Sequence, residues 1–194
     1  MTNEILEQEY KAAHRKSAKP MLWISMVSMT MTFIGLTSAH IISSNREDWV
    51  SFELPSSLYI STAFIIMSSI TFLVAKKSIS KDNRAATSIF LILTLLLGIG
   101  FVYYQVQVFY DLQEAGLYLA GKDSVVSASL LIVISFAHII HVLAGLIVLM
   151  VVIYNHFKKR YNAMETLGLE LGGIFWHFVD IIWILLFLFF YFIR

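Results

Sequence analysis

Five apolar stretches in this 194-residue chain are each long enough to cross a membrane as a helix. A hydrocarbon core about 30 Å thick needs about 20 residues of helix, whereas membrane barrel strands have about ten residues and alternate in polarity. Hydrophobic residues make up 58% of the chain and charged residues 14%, which excludes an ordinary soluble domain. The sequence therefore predicts an all-α membrane protein, a bundle of five transmembrane helices. The approximate spans are residues 21–43, 58–75, 85–110, 125–154 and 171–193.

Basic residues are concentrated in alternate segments between the spans. The N-terminal segment and the second and fourth connections are rich in Lys and Arg, whereas the first and third connections carry more acidic residues. Loops rich in Lys and Arg stay in the cytoplasm. We therefore expect a cytoplasmic N-terminus and a periplasmic C-terminus. The expected organisation is a short cytoplasmic tail over residues 1–19 and one five-helix transmembrane domain over residues 20–194.

Several classes of chemistry are excluded by the residues that the chain contains. It has no cysteine, so disulfides, thiolate metal sites and iron–sulfur clusters are excluded. No glycine-rich phosphate loop, nucleophile–base pair or nucleic-acid-binding patch is found. A metal site could use only histidine and carboxylate ligands.

The fourth and fifth spans carry ionisable residues at helical spacing. His138 and His141 are three residues apart and share one helix face. Gly145 lies on the same face, where its lack of a side chain would let a neighbouring helix approach closely. In the fifth span a stripe contains Glu170, Gly173, His177 and Asp180, and two tryptophans, Trp176 and Trp183, lie on an adjacent face. A charged residue within a span costs roughly 2.5–3.5 kcal/mol on insertion scales, so we expect these groups to face protein.

Three interpretations of these polar residues remain open from the residues alone. Three histidines and an aspartate could bind a metal or haem, or they could form a proton pathway through a small transporter. The third interpretation is structural: the polar groups bond across helices and hold the bundle together. Outside this set, His40 and Asn45 at the end of the first span, and His156 beyond the fourth, are expected to meet water.

Four segments resemble subunit III of the haem–copper oxidases, the cytochrome c oxidase family. Residues 137–145, AHIIHVLAG, resemble the family's FHGLHVxxG stretch, and residues 167–183, LGLELGGIFWHFVDIIW, resemble its FGFEAAAWYWHFVDVVW signature. Residues 54–71 resemble the LPLxNTxxLLTSSxT helix, and residues 19–33 resemble KLGMWLFLASEVMFF. The resemblance covers almost all of the chain after the tail, and the WHFVD motif is its most specific part.

This resemblance implies an accessory subunit without redox chemistry of its own, in a proton-pumping terminal oxidase of aerobic respiration. It implies haem and copper in the partner subunits and none in this chain, with phospholipid bound to the bundle. The implied partners are the catalytic subunit I, subunit II and other oxidase subunits, in the oxidase alone or within a respiratory supercomplex, together with membrane lipids and no nucleic acid. The implied location is the bacterial inner membrane. No catalytic, cofactor-binding or metal-binding residue is expected in this chain.

The chain departs from the family pattern in two places and in its length. Met29 replaces an intramembrane glutamate after Ser28, and Val108 replaces the glutamate of the QAxEY stretch. Mitochondrial members have seven helices, with a lipid-filled cleft between the first two and the other five, whereas the five-helix form is typical of bacterial members. Two alternatives to a cytochrome c oxidase remain: subunit III of a quinol oxidase, and, from another class, a small proton-coupled transporter that uses His and Asp.

Overall fold

The structure is a computed structural model that describes residues 2–119, 125–161 and 166–193, with side chains from residue 16 onward. It confirms the prediction of an all-α protein with five helices long and apolar enough to cross a membrane. The helices are α1 (Thr2–Ser43), α2 (Ser56–Ser80), α3 (Arg84–Glu114), α4 (Val126–Phe157) and α5 (Leu167–Phe192). Most extend a few residues beyond the predicted spans, because helical hydrogen bonding continues after the apolar sequence ends.

Helix α1 crosses the expected boundary between tail and domain without a break. It contains Pro20, and its membrane-spanning part is Lys16–Ser43. The division into a tail over residues 1–19 and a domain over residues 20–194 stays a prediction.

Helices α2 to α5 form a closed bundle, and α1 lies outside it. Contacts join α2 to α3, α3 to α4, α4 to α5, and α5 back to α2, with the α2–α3 pair the most extensive. Helix α1 packs only on α4 and α5 among the described helices. Its spanning part is consequently the least buried of the five.

Several hydroxyl groups within the spans form hydrogen bonds within their own helices. Thr30 donates to the carbonyl of Met26 at 2.9 Å, and Ser78 donates to the carbonyl of Val74 at 2.8 Å, each one turn back in its own helix. Lipid offers no alternative partner, so these bonds let Ser and Thr lie in a membrane helix at little cost. At the start of α3, the side chain of Asn83 accepts a bond from the amide of Ala86 and caps the helix.

The predictions about residues at the helix ends had mixed outcomes. Asn45 is exposed, as predicted. His40 is buried, and its Nε2 lies 3.2 Å from the carbonyl oxygen of Ile193 at the end of α5. His156 is also buried, with its Nε2 3.0 Å from the hydroxyl of Ser88 on α3. The prediction that these two histidines meet water was wrong, because the ends of neighbouring helices cover them.

Candidate functional site in the bundle core

The indole of Trp176 lies at a junction of four helices. It projects from α5 and is buried, and its Nε1 donates to Ser68 Oγ on α2 at 3.0 Å. A Cβ atom at Gly98 on α3 would lie 2.8 Å from the indole, and one at Gly145 on α4 would lie 3.2 Å from it. Any larger residue at Gly98 would overlap the ring. The prediction that Gly145 permits close approach of another helix is confirmed.

Trp183 forms a second junction two turns further along α5. It is fully buried, and its Nε1 donates to Thr62 Oγ1 on α2 at 3.0 Å. Its ring centroid lies 5.2 Å from that of Phe101 on α3, edge to face, and 4.9 Å from that of His138 on α4. Both tryptophans therefore use one polar atom to fix their orientation and the rest of the ring to join helices.

His138 lies in the centre of the bundle among aromatic rings. It is fully buried, and its ring also meets Phe33 of α1 and Phe101 of α3, with centroids 6.0 and 5.8 Å away. Neither Nδ1 nor Nε2 of His138 has a hydrogen-bond partner among the described residues. Leaving one buried polar group unpaired costs about 1–3 kcal/mol, so an imidazole at this position destabilises the fold unless its nitrogens find a partner.

His141 contacts α1 from the same helix face. Its Nδ1 lies 2.7 Å from the carbonyl oxygen of Ala137, one turn back, to which it donates as the Nδ1–H tautomer. Its ring lies 5.5 Å from that of Phe33, which therefore contacts both histidines of α4. This aromatic contact is the central attachment of α1 to the bundle.

Glu170 ties the start of α5 to α1. Its Oε2 lies 3.2 Å from Lys19 Nζ, and its Oε1 accepts a bond from Thr166 Oγ1 at 3.1 Å. Half of the Lys19 side chain is exposed. Exposed ion pairs contribute at most about 1 kcal/mol, so this contact orients α1 more than it stabilises the fold.

His177 and Asp180 share a neighbour on α2. His177 Nδ1 lies 2.7 Å from Ser69 Oγ, and its ring meets Phe72 edge to face at 5.6 Å. Asp180 is 2% exposed, and the Ser69 hydroxyl lies within interaction range of its carboxyl group. Neither carboxyl oxygen of Asp180, however, forms a hydrogen bond within the described part of the chain. His177 Nε2 is likewise buried and unpaired there.

The five ionisable residues named from the sequence are distributed over separate contacts. Glu170 and His141 contact α1, and His177 contacts α2. His138 and Asp180 lie in the core. No hydrogen bond between described side chains joins any two of the five, so a single polar network of these residues stays a prediction. The described residues include no group of three or more His, Asp or Glu side chains placed to hold a metal ion.

Sequence reasoning missed two buried polar residues near His138. Gln105 on α3 and Ser135 on α4 are both fully buried, and neither side chain has a partner among the residues the structure describes. The available signal was spacing: Gln105 continues the buried face of Gly98 and Phe101 along α3. At the two positions where the family glutamates are replaced, Met29 packs against the core and Val108 is fully buried.

The fold and its buried motifs define a class, an integral-membrane helical bundle with a histidine–aspartate core and two hydroxyl-anchored tryptophans. The model of the family described as cytochrome c oxidase subunit III matches residues 9–194. The chain therefore belongs to the cytochrome c oxidase subunit III family, as the resemblance predicted.

Three relatives illustrate the range of the family. Cytochrome c oxidase subunit 3 of Petromyzon marinus is 30% identical over 137 residues, which are 71% of this chain and 49% of that protein. The subunit of the same name in Alkalihalophilus pseudofirmus is 26% identical over 80% of this chain and 73% of its own. Cytochrome bo(3) ubiquinol oxidase subunit 3 of Buchnera aphidicola is 29% identical over 88% of this chain and 90% of its own. The chain spans about half the length of the Petromyzon relative.

Proposed function

We propose that this chain is an accessory subunit III of a proton-pumping haem–copper terminal oxidase in aerobic respiration. The observation that carries the proposal is the family match over residues 9–194, which takes in the tryptophan junctions and the buried histidines. The chain packs on the catalytic subunit I, with subunit II and other oxidase subunits as further partners. It lies in the bacterial inner membrane, stabilises turnover and supports proton uptake.

In this proposal haem and copper belong to the partner subunits, and this chain has no catalytic residue. His138 is enclosed by aromatic rings, His141 bonds its own helix, and His177 bonds Ser69, so each imidazole is committed to local packing. These three partners, Trp183, Ala137 and Ser69, are different residues, and no single site collects the three rings. This arrangement favours the structural interpretation over a shared metal or haem site.

The electron donor is either cytochrome c or a quinol. Cytochrome c as the donor is supported by the family description and by relatives such as that of Alkalihalophilus. A quinol as the donor is supported by one observation: a subunit of a ubiquinol oxidase matches this chain over nearly the full length of both proteins. Oxidation of reduced cytochrome c or of a quinol by the purified complex distinguishes the two.

Deletion of this chain tests the accessory role. We expect the haem absorption spectrum of the remaining complex to be nearly unchanged, because no iron ligand is lost. The initial rate of oxygen reduction should fall only partly, and activity should then decay faster during sustained turnover. Oxygen uptake by the purified complex measures both rates, with the reintroduced wild-type chain as control. Loss of haem and of all activity, with the other subunits still assembled, would contradict the proposal.

The supporting role cannot depend on carboxylates at positions 29 and 108. Met29 and Val108 are apolar and packed against the core, so neither can carry a proton. Support for proton uptake and turnover must instead come from packing, from bound lipid, or from surface groups at the bundle end that carries Glu170.

The proposed orientation places the basic end of the bundle in the cytoplasm. The start of α1, the α2–α3 connection and the end of α4 meet at this end, where Arg84 Nη2 donates to the carbonyl of Tyr161 at 3.1 Å. Among the described residues at the other end, the one basic side chain, Arg46, makes a two-pronged ion pair with Asp48. Hydrogen bonds from Arg46 lower the pKa of the Asp48 carboxyl, which stays charged and offsets this cation. Positive charge is therefore concentrated at one end, as the positive-inside rule requires of a cytoplasmic face.

Cysteine labelling in intact cells tests this orientation, since the chain has no native cysteine. A cysteine added after Arg194 should react with a membrane-impermeant thiol reagent, and Lys159→Cys should react only after the cells are opened. Labelling in the reverse pattern would show that the orientation is inverted.

A groove between α1, α4 and α5 is the proposed site for a phospholipid. It has a volume of about 600 Å³, and apolar side chains such as Leu22, Val148 and Phe175 line it. Asn155 and Tyr161 lie at its basic end, where Asn155 Oδ1 accepts a bond from Arg160 Nη1 at 3.0 Å. Acyl chains fit the apolar walls, and a guanidinium is suited to bind a phosphate headgroup.

Native mass spectrometry of the protein after detergent washing tests the lipid site. We expect phospholipid to remain bound to the wild type and to be lost more readily from Arg160→Gln, because the headgroup contact is removed. Lys158→Gln is the matched control, since Lys158 lies over the ring of Tyr154 at the same end of the bundle. Equal lipid retention in the two variants would exclude headgroup binding by Arg160.

A further inference from the structure

Several unpartnered polar atoms lie in the core of the bundle on α3 and α4. Gln105 Oε1 and Nε2, Ser135 Oγ, and His138 Nδ1 and Nε2 are all buried and lack a partner among the described residues. All three side chains have no exposed surface. These three side chains thus leave five hydrogen-bonding atoms without a partner in a region that lipid cannot satisfy.

Helix geometry brings these three residues to one place. Gln105 lies one turn from Phe101 on the buried face of α3, and the Phe101 ring meets His138 at 5.8 Å. Ser135 lies one turn from His138 on the buried face of α4. Along both antiparallel helices this turn leads away from Trp176 and toward the end that holds His40. Gln105 and Ser135 therefore both lie beyond the Phe101–His138 contact in the direction of His40.

A small cavity lies at the bundle end that holds His40. His40, Leu131 and Phe190 are among the residues that line it, and its volume of about 10 Å³ is about the space that one water molecule needs. His40 Nδ1 is buried and unpaired within the described residues. Leu131 lies one turn from Ser135 on the buried face of α4, so the cavity ends about one helical turn from the cluster.

We propose that ordered water occupies the bundle core beside His138, bound by Gln105, Ser135 and His138, and that it enters through the cavity at His40. Buried water commonly satisfies about three polar groups, and the amide, hydroxyl and imidazole supply both donors and acceptors. The ring of Trp183 covers His138 on one side, since it packs on His138 at 4.9 Å and is held by Thr62. The water therefore reaches His138 from one end of the bundle and stops there.

Two matched tryptophans in this chain provide the test. Trp183 adjoins the proposed water, whereas Trp176 lies in the glycine-lined contact with Gly98 and Gly145. Both indoles are buried, and both donate to a hydroxyl of α2. X-ray radiolysis generates hydroxyl radicals from water in place, so a buried ring next to bound water is oxidised while a dry buried ring is spared.

The experiment uses the full protein, purified in lipid nanodiscs with the subunits that accompany it, and irradiated in ¹⁸O-labelled water. Mass spectrometry should find ¹⁸O on Trp183 and Phe101 and essentially none on Trp176. The double variant Gln105→Leu/Ser135→Ala should lose most of the Trp183 label. Ser61→Ala should keep it, because the hydroxyl of Ser61, also fully buried, already bonds the carbonyl of Leu58.

Two results would overturn the proposal. Equal labelling of Trp176 and Trp183 would mean that general opening of the bundle, and not bound water, exposes the rings. Absence of label on Trp183, with surface tyrosines labelled normally, would mean that the core beside His138 is dry.

Discussion

The contact between Trp176 and two glycines determines how the other helices can pack. Gly98 and Gly145 leave space for an indole from α5 between α3 and α4, and Ser68 on α2 fixes the orientation of the ring through its Nε1. Helices in a membrane gain little from hydrophobic burial against each other, so close packing and a few buried hydrogen bonds must hold them together. One side chain supplies both, and it joins all four helices of the closed bundle.

Trp183 and His138 extend the same construction toward the other end of the bundle, and Phe33 brings α1 onto it. Helix α1 is thus attached to the bundle through Lys19 near one end, Phe33 in the middle and His40 at the other end. Between these attachments α1 stands away from α4 and α5, which leaves the groove assigned here to lipid. A rigid four-helix core with a loosely held outer helix suits a subunit that supports a neighbour through packing and lipid.

Much of this arrangement could be predicted from the sequence. Apolar length gave the five helices, and the spacing of Gly145 from His141 indicated a close helix contact, because both follow from local periodicity. Which helix would fill the space at Gly145 could not be predicted, since that depends on the register between distant segments. The burial of His40 and His156 was missed for the same reason: residues remote in sequence cover them. Gln105 and Ser135 were overlooked because one polar residue on an apolar face gives no signal until its neighbours are known.

The central claim is that Trp176 and its glycine contacts hold the bundle together, and Gly98→Ala tests it most directly. The added methyl group would overlap an indole that its bond to Ser68 prevents from moving aside, so unfolding in SDS, followed by tryptophan fluorescence, should show a loss of about 1–3 kcal/mol. Gly35→Ala is the control, because a Cβ there meets nothing within 4 Å. It should be neutral or stabilising by up to about 1 kcal/mol, as alanine favours helix over glycine. Equal stability of the two variants would contradict the claim.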